Sequence, residues 1–520
     1  MKKFIRRLSV GFLVLAVIVL IIGNIQFRDR HRGYDVNINL KSADQHISEI
    51  GFSKISVTPT GFDTWNDANR DGRYNPKEGD TYNDLNNNGK FDAVWLAGFH
   101  QGRPANGVND SLWARTMVVR NGAHRIALCV IDMMGFGNDD VITVRKRLKD
   151  SLAIDYAIIA STHVHSSPDL MGMWGPSPFK SGVDHVYKEW VIDQIVKSIE
   201  KAVDNARPAK LKFAEDLTNA IPLVGDSRKP HVMDAGIRLM QVIDAESNAT
   251  LGTLLNWGNH PETLWSENLM LTSDFPHYYR KYVEEGIYQK DSLIQQGLGG
   301  VAIFMNGAIG GLMTTRPPDT LTHPVTGNQL TGATFEKAEA QGLALAMLSL
   351  KALEDKKVEV VDKAALHIQA RSITLPNDNK LFQLAGFIGI FDRGYIKWRH
   401  LRSEVAAWSL GPALFMHVPG ELYPEILNGG VEAPEGGDFG IQPLEVPSLR
   451  SQVTNHPFTF FGGLSNDEIG YIIPKSQWDT QAPYTYGRDK APYGEVNSLG
   501  SETAPLVYRE LSRLLKEFSK

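Results

Sequence analysis

The chain of 520 residues is 42% hydrophobic and 22% charged, the proportions of a globular protein that can bury a large core. Its net charge of -5 and the lack of a long basic block argue against nucleic acid as a partner. The single cysteine, Cys129, sits in an apolar run and reads as a small core residue, so an internal disulfide and a cysteine-rich zinc site are both excluded.

At the N-terminus, Lys2, Lys3, Arg6 and Arg7 precede an unbroken apolar run from Val10 to Ile22, extended by Leu8 and Ile25. That is roughly the 17–25 residues a transmembrane helix needs. No Ala-x-Ala-like cleavage site follows, which favours an uncleaved signal anchor. Residues 1–32 are therefore expected to form a short cytoplasmic stub and a single membrane-spanning helix, with the body on the extracytoplasmic side. Residues 33–50 read as a polar linker, and 51–520 as the folded body.

The body opens on the alternating stretch Ile55 to Pro59, then on an insertion at 63–92 rich in Asp, Asn and Gly. Asp67, Asn69, Asp71, Gly72, Asn75 and Glu78 fall at positions 1, 3, 5, 6, 9 and 12 of a calcium loop. A second, partial copy is Asp84, Asn86, Asn88, Gly89 and Asp92, in which Trp95 takes the place of the closing acid. Neither copy is flanked by helical periodicity, so the expectation is structural Ca2+ and not a paired-helix sensor. A solvated acidic turn is the alternative.

Apolar strands alternate with helical stretches from Leu112 onward: strands before Asp132 and over Tyr156–Ala160, helices over 141–152 and 186–205. This pattern predicts an α/β fold with a mixed sheet core and flanking helices. The strand from Tyr156 leads into Ser161-Thr162-His163-Val164-His165-Ser166-Ser167-Pro168. Residues two apart on an extended chain share a side, so both imidazoles are expected to emerge together, as a metal site or as two hydrogen-bonded strand-end histidines. The strand Ala249–Trp257 likewise delivers Gly258-Asn259-His260-Pro261-Glu262, and 301–305 runs into Asn306-Gly307-Ala308-Ile309-Gly310-Gly311. Later come an alanine-rich helix over 333–353, alternating strands over 358–374 and a strand ending in Pro419-Gly420-Glu421. Phe458–Leu464 then continues to Ser465-Asn466-Asp467-Glu468-Ile469-Gly470-Tyr471, and a helix over 504–518 closes the chain.

Taken together, Thr162-His163-Val164-His165-Ser166, His260 after its strand, Pro419-Gly420-Glu421 and Gly463-Leu464-Ser465-Asn466 through Tyr471 resemble the catalytic domain of the neutral ceramidase family. Order and spacing agree over roughly residues 50–515. The resemblance implies a catalytic Zn2+ held by His163, His260, Glu421 and Tyr471, which leaves a position for water. Beside such an ion His165 is the candidate for proton transfer to the leaving amine and Tyr471 for a hydrogen bond to the developing oxyanion, and Arg228 matches a family arginine that lines the substrate site. Three departures accompany it. Gly310 stands where the family carries a serine assigned as nucleophile, the C-terminal immunoglobulin-like domain is missing, and the calcium-loop insertion is extra. The expected function is a membrane-anchored, zinc-dependent hydrolase that cleaves an amide, of ceramide or another N-acyl lipid, by metal-activated water. A metallo-esterase or amidase for a small polar substrate, and a non-catalytic calcium-stabilised surface protein, are the alternatives.

Overall fold

The computed structural model describes residues 4, 7, 12, 17, 21–311, 313–316, 318–355 and 358–519. Two sheets face each other. The larger has nine strands, eight of them in the order Val301–Asn306, Thr250–Trp257, Ile237–Asp244, Arg207–Asp216, Ser48–Ser56, Trp113–Asn121, His124–Ile131 and Tyr156–Ser161. Only its two outermost pairs are parallel. The smaller sheet runs Asn37–Lys41, Leu366–Pro376, His400–Leu410, Ala413–His417 and Phe458–Gly462, with the last pair parallel.

One apolar layer joins the sheets. Ile50, Met117, Leu128, Ile158, Leu254 and Ile303 of the large sheet meet Ile368, Ala406, Trp408, Phe415 and Phe460 of the small one. Alternation along His400–Leu410 sends Ala406, Trp408 and Leu410 into this layer and Leu401, Val405 and Ala407 to the opposite face. Helices cover both outer faces. Asp184 caps His185–Asp204 by accepting the Val186 and Tyr187 N–H groups, and Val191, Ile195 and Ile199 of that helix press on the large sheet. Thr503–Leu515 covers the small sheet through Leu511 and Leu514. The expected mixed α/β core is present, as four layers in the order helix, sheet, sheet, helix.

Residues 33–50 are more than a linker. The Asn-Ile-Asn-Leu-Lys alternation of 37–41 forms an edge strand on Leu366–Pro376, and Ser48 already starts a central strand. Most of the run expected to span a membrane lies outside the described residues, and among the described residues no helix is long and apolar enough to cross one.

Trp408, Phe415 and Phe460 are cross-strand neighbours that stack, with centroids 3.8 Å and 4.5 Å apart. Trp408 also donates its indole N–H to His417 Nε2 at 3.0 Å. Because this stack fills the layer between the sheets, Trp408→Ala is expected to cost about 3–5 kcal/mol of unfolding free energy, read from urea denaturation.

Candidate metal centre and cavity

The strand Tyr156–Ser161 stops before the His-x-His pair, so strand alternation is not what brings the imidazoles together. His163 instead has a left-handed backbone, φ 66°, a conformation that costs a non-glycine residue about 1–3 kcal/mol. Hydrogen bonds from Thr162 N and His163 N to the carbonyls of Ile131 and Met133, 2.9 and 3.0 Å, hold this turn. The His163 and His165 ring centroids end 5.0 Å apart. His260, delivered by Thr250–Trp257, lies 5.0 Å from His163 and 5.7 Å from His165. One nitrogen of each ring falls within 4.8 Å of the others, so the three could hold a metal ion. His165, expected only as a proton-transfer group, thus sits inside the donor cluster.

The small sheet supplies the fourth and fifth groups. Beyond Ala413–His417, Glu421 pairs in parallel register with Tyr471 in a two-residue ladder. Glu421 Oε2 lies 2.9 Å from His260 Nε2 and 3.7 Å from His163 Nε2. The Nδ1 atoms of His163 and His260 each face a backbone carbonyl, of Met134 and Met313, at 2.7 Å. A carbonyl only accepts, so Nδ1 carries the proton in both rings, and both Nε2 atoms turn towards Glu421.

Asn306 ties the two histidine loops together. Its amide donates to the carbonyls of Thr162 and Asn259, both at 3.0 Å, and its oxygen accepts the Asn259 N–H at 3.2 Å. Gly98 presses on His165 so closely that a Cβ there would lie 2.5 Å from the ring, and Arg103 donates to the His165 carbonyl at 2.6 Å. Glu262 Oε2 stands 3.1 Å from His165 Nδ1, and His165 Nε2 has no hydrogen-bond partner among the described residues.

Charge in this dry pocket is divided unevenly. Burial, helped by the neighbouring imidazoles, drives His163 down to about 3. Burial also acts to lower His260, but its bond to Glu421 and the charges of Glu262 and Glu421 prevail and lift it to about 9. Burial would raise Glu262, yet His165 and His260 hold it at about 2. Glu468 goes the other way: burial and the nearby Glu421 charge push it well above the carboxylate range. Its Oε1 accepts the Gly470 N–H at 2.8 Å, and its buried Oε2 has no hydrogen-bond partner among the described residues.

His163, His165, Glu421, Glu468 and Tyr471 all line one cavity. The rest of its wall is mainly apolar: Met134, Met171, Met173, Trp174, Phe382, Phe391, Leu401, Ile469 and Leu499. Arg228 is not among the lining residues. Its buried guanidinium forms a two-pronged bond to Glu495 at 2.9 and 3.0 Å and donates to the Tyr423 hydroxyl, behind the ladder that carries Glu421. Gly310 is enclosed as well: a Cβ there would lie 2.2 Å from the Tyr423 ring and 2.6 Å from its backbone nitrogen. Asp132 is occupied by Arg280, at 2.8 and 2.9 Å.

The two acidic loops fold on themselves. Asp67 accepts the Asp71 and Gly72 N–H groups and Asp84 those of Asn88 and Gly89. The Asn69 amide donates to Glu78 and Asp71, the Asn86 and Asn88 amides donate to Asp92, and Asn75 caps the turn Pro76–Glu78. Among the described residues, the loop carboxylates do not converge as a metal-holding group in the way the three histidines do.

Glu262, Asn306 and Glu468 gained no role from the sequence, although each stands inside a stretch that drew notice. The signal available was adjacency, since all three lie within three residues of a histidine, a glycine loop or a tyrosine singled out for other reasons.

No protein-family profile matches this sequence, and no curated protein does. Among solved structures, the neutral ceramidase from Pseudomonas aeruginosa superposes with a TM-score of 0.61 at 15% identity, covering 92% of this chain and 75% of that one. A ceramidase complexed with C2 gives 0.60 at 13%, covering 91% and 74%. The resemblance read from a few strand ends therefore extends over nearly the whole chain as shared architecture, and the chain has the fold of the neutral ceramidases.

Proposed function

We propose that this chain is a zinc-dependent hydrolase that cleaves the amide bond of an N-acyl lipid of the ceramide class. The observation that carries the reading is a buried cluster of three imidazoles and a carboxylate at the wall of an apolar cavity. Nitrogen and carboxylate donors suit zinc, and the Nδ1–carbonyl contacts at His163 and His260 are the outer partners that fix imidazole ligands. In this reading His163, His260 and Glu421 hold the ion, with Tyr471 beside them. Zinc, when bound, supplies a Lewis acid and a lowered pKa for the attacking water.

The chain's own groups account for the rest. His165 Nε2 takes the proton that the attacking water loses and passes it to the leaving nitrogen as the C–N bond breaks, and Glu262 orients the ring from the other side. Burial and the charge of Glu421 keep the Tyr471 phenol neutral, a donor for the developing oxyanion. Neutral Glu468 offers a second donor to a polar group of the substrate. Arg228 acts at a distance, positioning Tyr423 and so the segment from Glu421 to Tyr423. The apolar wall favours a long acyl chain over a small polar substrate. An N-terminal anchor with the body on the extracytoplasmic side, and Ca2+ in the two register-matched loops, belong to the same proposal.

The test is a panel of ceramides, other N-acyl lipids and short polar amides, assayed on the full chain with chelator and after zinc is restored. Hydrolysis is expected for the lipids and lost with chelator. His163→Ala is expected to lower the rate at least about 100-fold, and a variant as active as the parent refutes the mechanism. Because Tyr423 leaves no space at residue 310, Gly310→Ser is expected to cost about 1–3 kcal/mol in denaturant unfolding and to bring no gain in rate. Calcium at 100 times its Kd is expected to stabilise each occupied loop by about 2.7 kcal/mol. Scanning calorimetry reads that gain, which should shrink in Glu78→Gln.

A further inference from the structure

The helix Lys380–Phe387 forms part of the cavity wall through Phe382, on its buried side. Its other side is apolar and uncovered. Leu381, Leu384 and Ile388 follow one another at helical spacing of three and four residues, 61%, 53% and 41% exposed, and Trp398 beside them is 61% exposed. The N-terminal apolar segment leaves the body at this place. Phe27 packs edge-on against Tyr395 and Trp398, each at 4.7 Å between centroids, and Gly23 lies against Phe387. Upstream, Ile21 and Ile25 are exposed, and the sequence stays apolar back to Val10. The cavity opens nearby: Tyr493 both lines it and is 58% exposed, and Asn379, which caps the helix, donates to the carbonyls of Val496 and Ser498 in the same segment.

We propose that the outer face of Lys380–Phe387, with Ile388 and Trp398, docks into the surface of a lipid bilayer and holds the cavity mouth against it. The occupant is a membrane and not another protein chain for two reasons. The patch is continuous with a segment of membrane-spanning length and composition, and exposed cations surround it, with Lys380, Lys397, Arg28 and Arg32 set to meet anionic headgroups. A lipid substrate then passes from the bilayer into the apolar cavity without crossing water. This last step rests on the lipid-amide reading above, whereas the docking itself does not.

Cys129 is fully buried, so one introduced cysteine takes a thiol label selectively. The full chain carrying Ile388→Cys, labelled with a polarity-sensitive fluorophore, is inserted into phosphatidylcholine–phosphatidylglycerol vesicles and compared with Asp291→Cys on the exposed hairpin 286–296. The expected result is blue-shifted emission at 388, quenched by a nitroxide lipid, with water-like emission at 291. Emission at 388 equal to that at 291 overturns the proposal. So does a shift at 388 that the nitroxide lipid leaves unquenched, since a protein surface then covers the patch. In the activity arm, Leu384→Asp is expected to lower hydrolysis of a vesicle-borne N-acyl lipid at least tenfold and to leave unaffected that of a short-acyl, water-soluble analogue of the same lipid. Equal losses on both overturn the docking role. Should the parent hydrolyse neither substrate, the lipid-amide reading fails, and the fluorescence arm still decides the docking.

Discussion

The 2.9 Å contact between His260 Nε2 and Glu421 Oε2 joins the two sheets where their strands end. His163 and His260 leave the large sheet and Glu421 and Tyr471 follow strands of the small one, so the set of imidazoles, carboxylate and phenol draws on both. The site therefore depends on the apolar layer between them: a relative shift of the sheets of about one strand repeat, roughly 3.3 Å, would exceed the reach of that contact. The Phe213–Phe458 ring pair, one ring from each sheet at 5.5 Å between centroids, and the Asn466 bridge, which accepts the Ile159 N–H at 3.0 Å and donates its own N–H to the Ile159 carbonyl at 2.7 Å, fix the offset.

How much of this was legible follows from which residues advertise themselves. Strand ends carrying His163, His260 and Glu421 were visible because apolar runs terminate at polar, loop-forming residues, a contrast that survives without alignment. The central strand His400–Leu410 was not visible, since it is buried on both faces and carries Arg402, Ser403 and Glu404 inside the core. Its polar residues are satisfied by partners far away in sequence: Glu404 accepts from Arg145 at 2.8 Å and from the Tyr156 hydroxyl at 2.8 Å. The left-handed turn at His163 was equally hidden, because nothing in a histidine's chemistry signals a positive φ.

The acidic loops and Arg228 show what spacing leaves open. Spacing places side chains on one turn, but it does not say which atom of an asparagine faces the acid, and here the Asn69, Asn86 and Asn88 amides turn their nitrogens inward. Arg228 was legible as a charge near the site; its two-pronged bond to Glu495, some 270 residues on, converts it from a substrate contact into a brace. Gly310 shows the opposite case. Glycine there reads as a missing nucleophile, yet the ring of Tyr423 occupies the space a side chain would need, so the packing leaves no room for a serine.

Glu421 and Glu468 border the same cavity and are driven in opposite directions. Burial raises both; the imidazoles of His163 and His260 overcome it for Glu421 and leave it anionic, whereas at Glu468 burial and the charge of Glu421 outweigh the nearby Arg393. Like charges this close in a low-dielectric pocket do not both ionise, so the proton settles on the carboxyl without an imidazole partner. The cavity thus presents an anion on its imidazole side and an uncharged carboxyl a short distance away, both against apolar walls. A carbonyl that gains negative charge as it is attacked needs donors such as the neutral Glu468 carboxyl and Tyr471 phenol, whereas the Glu421 charge suits a cation held beside it. The arrangement of charge, more than any one side chain, makes the cavity suited to the bond it is proposed to cut.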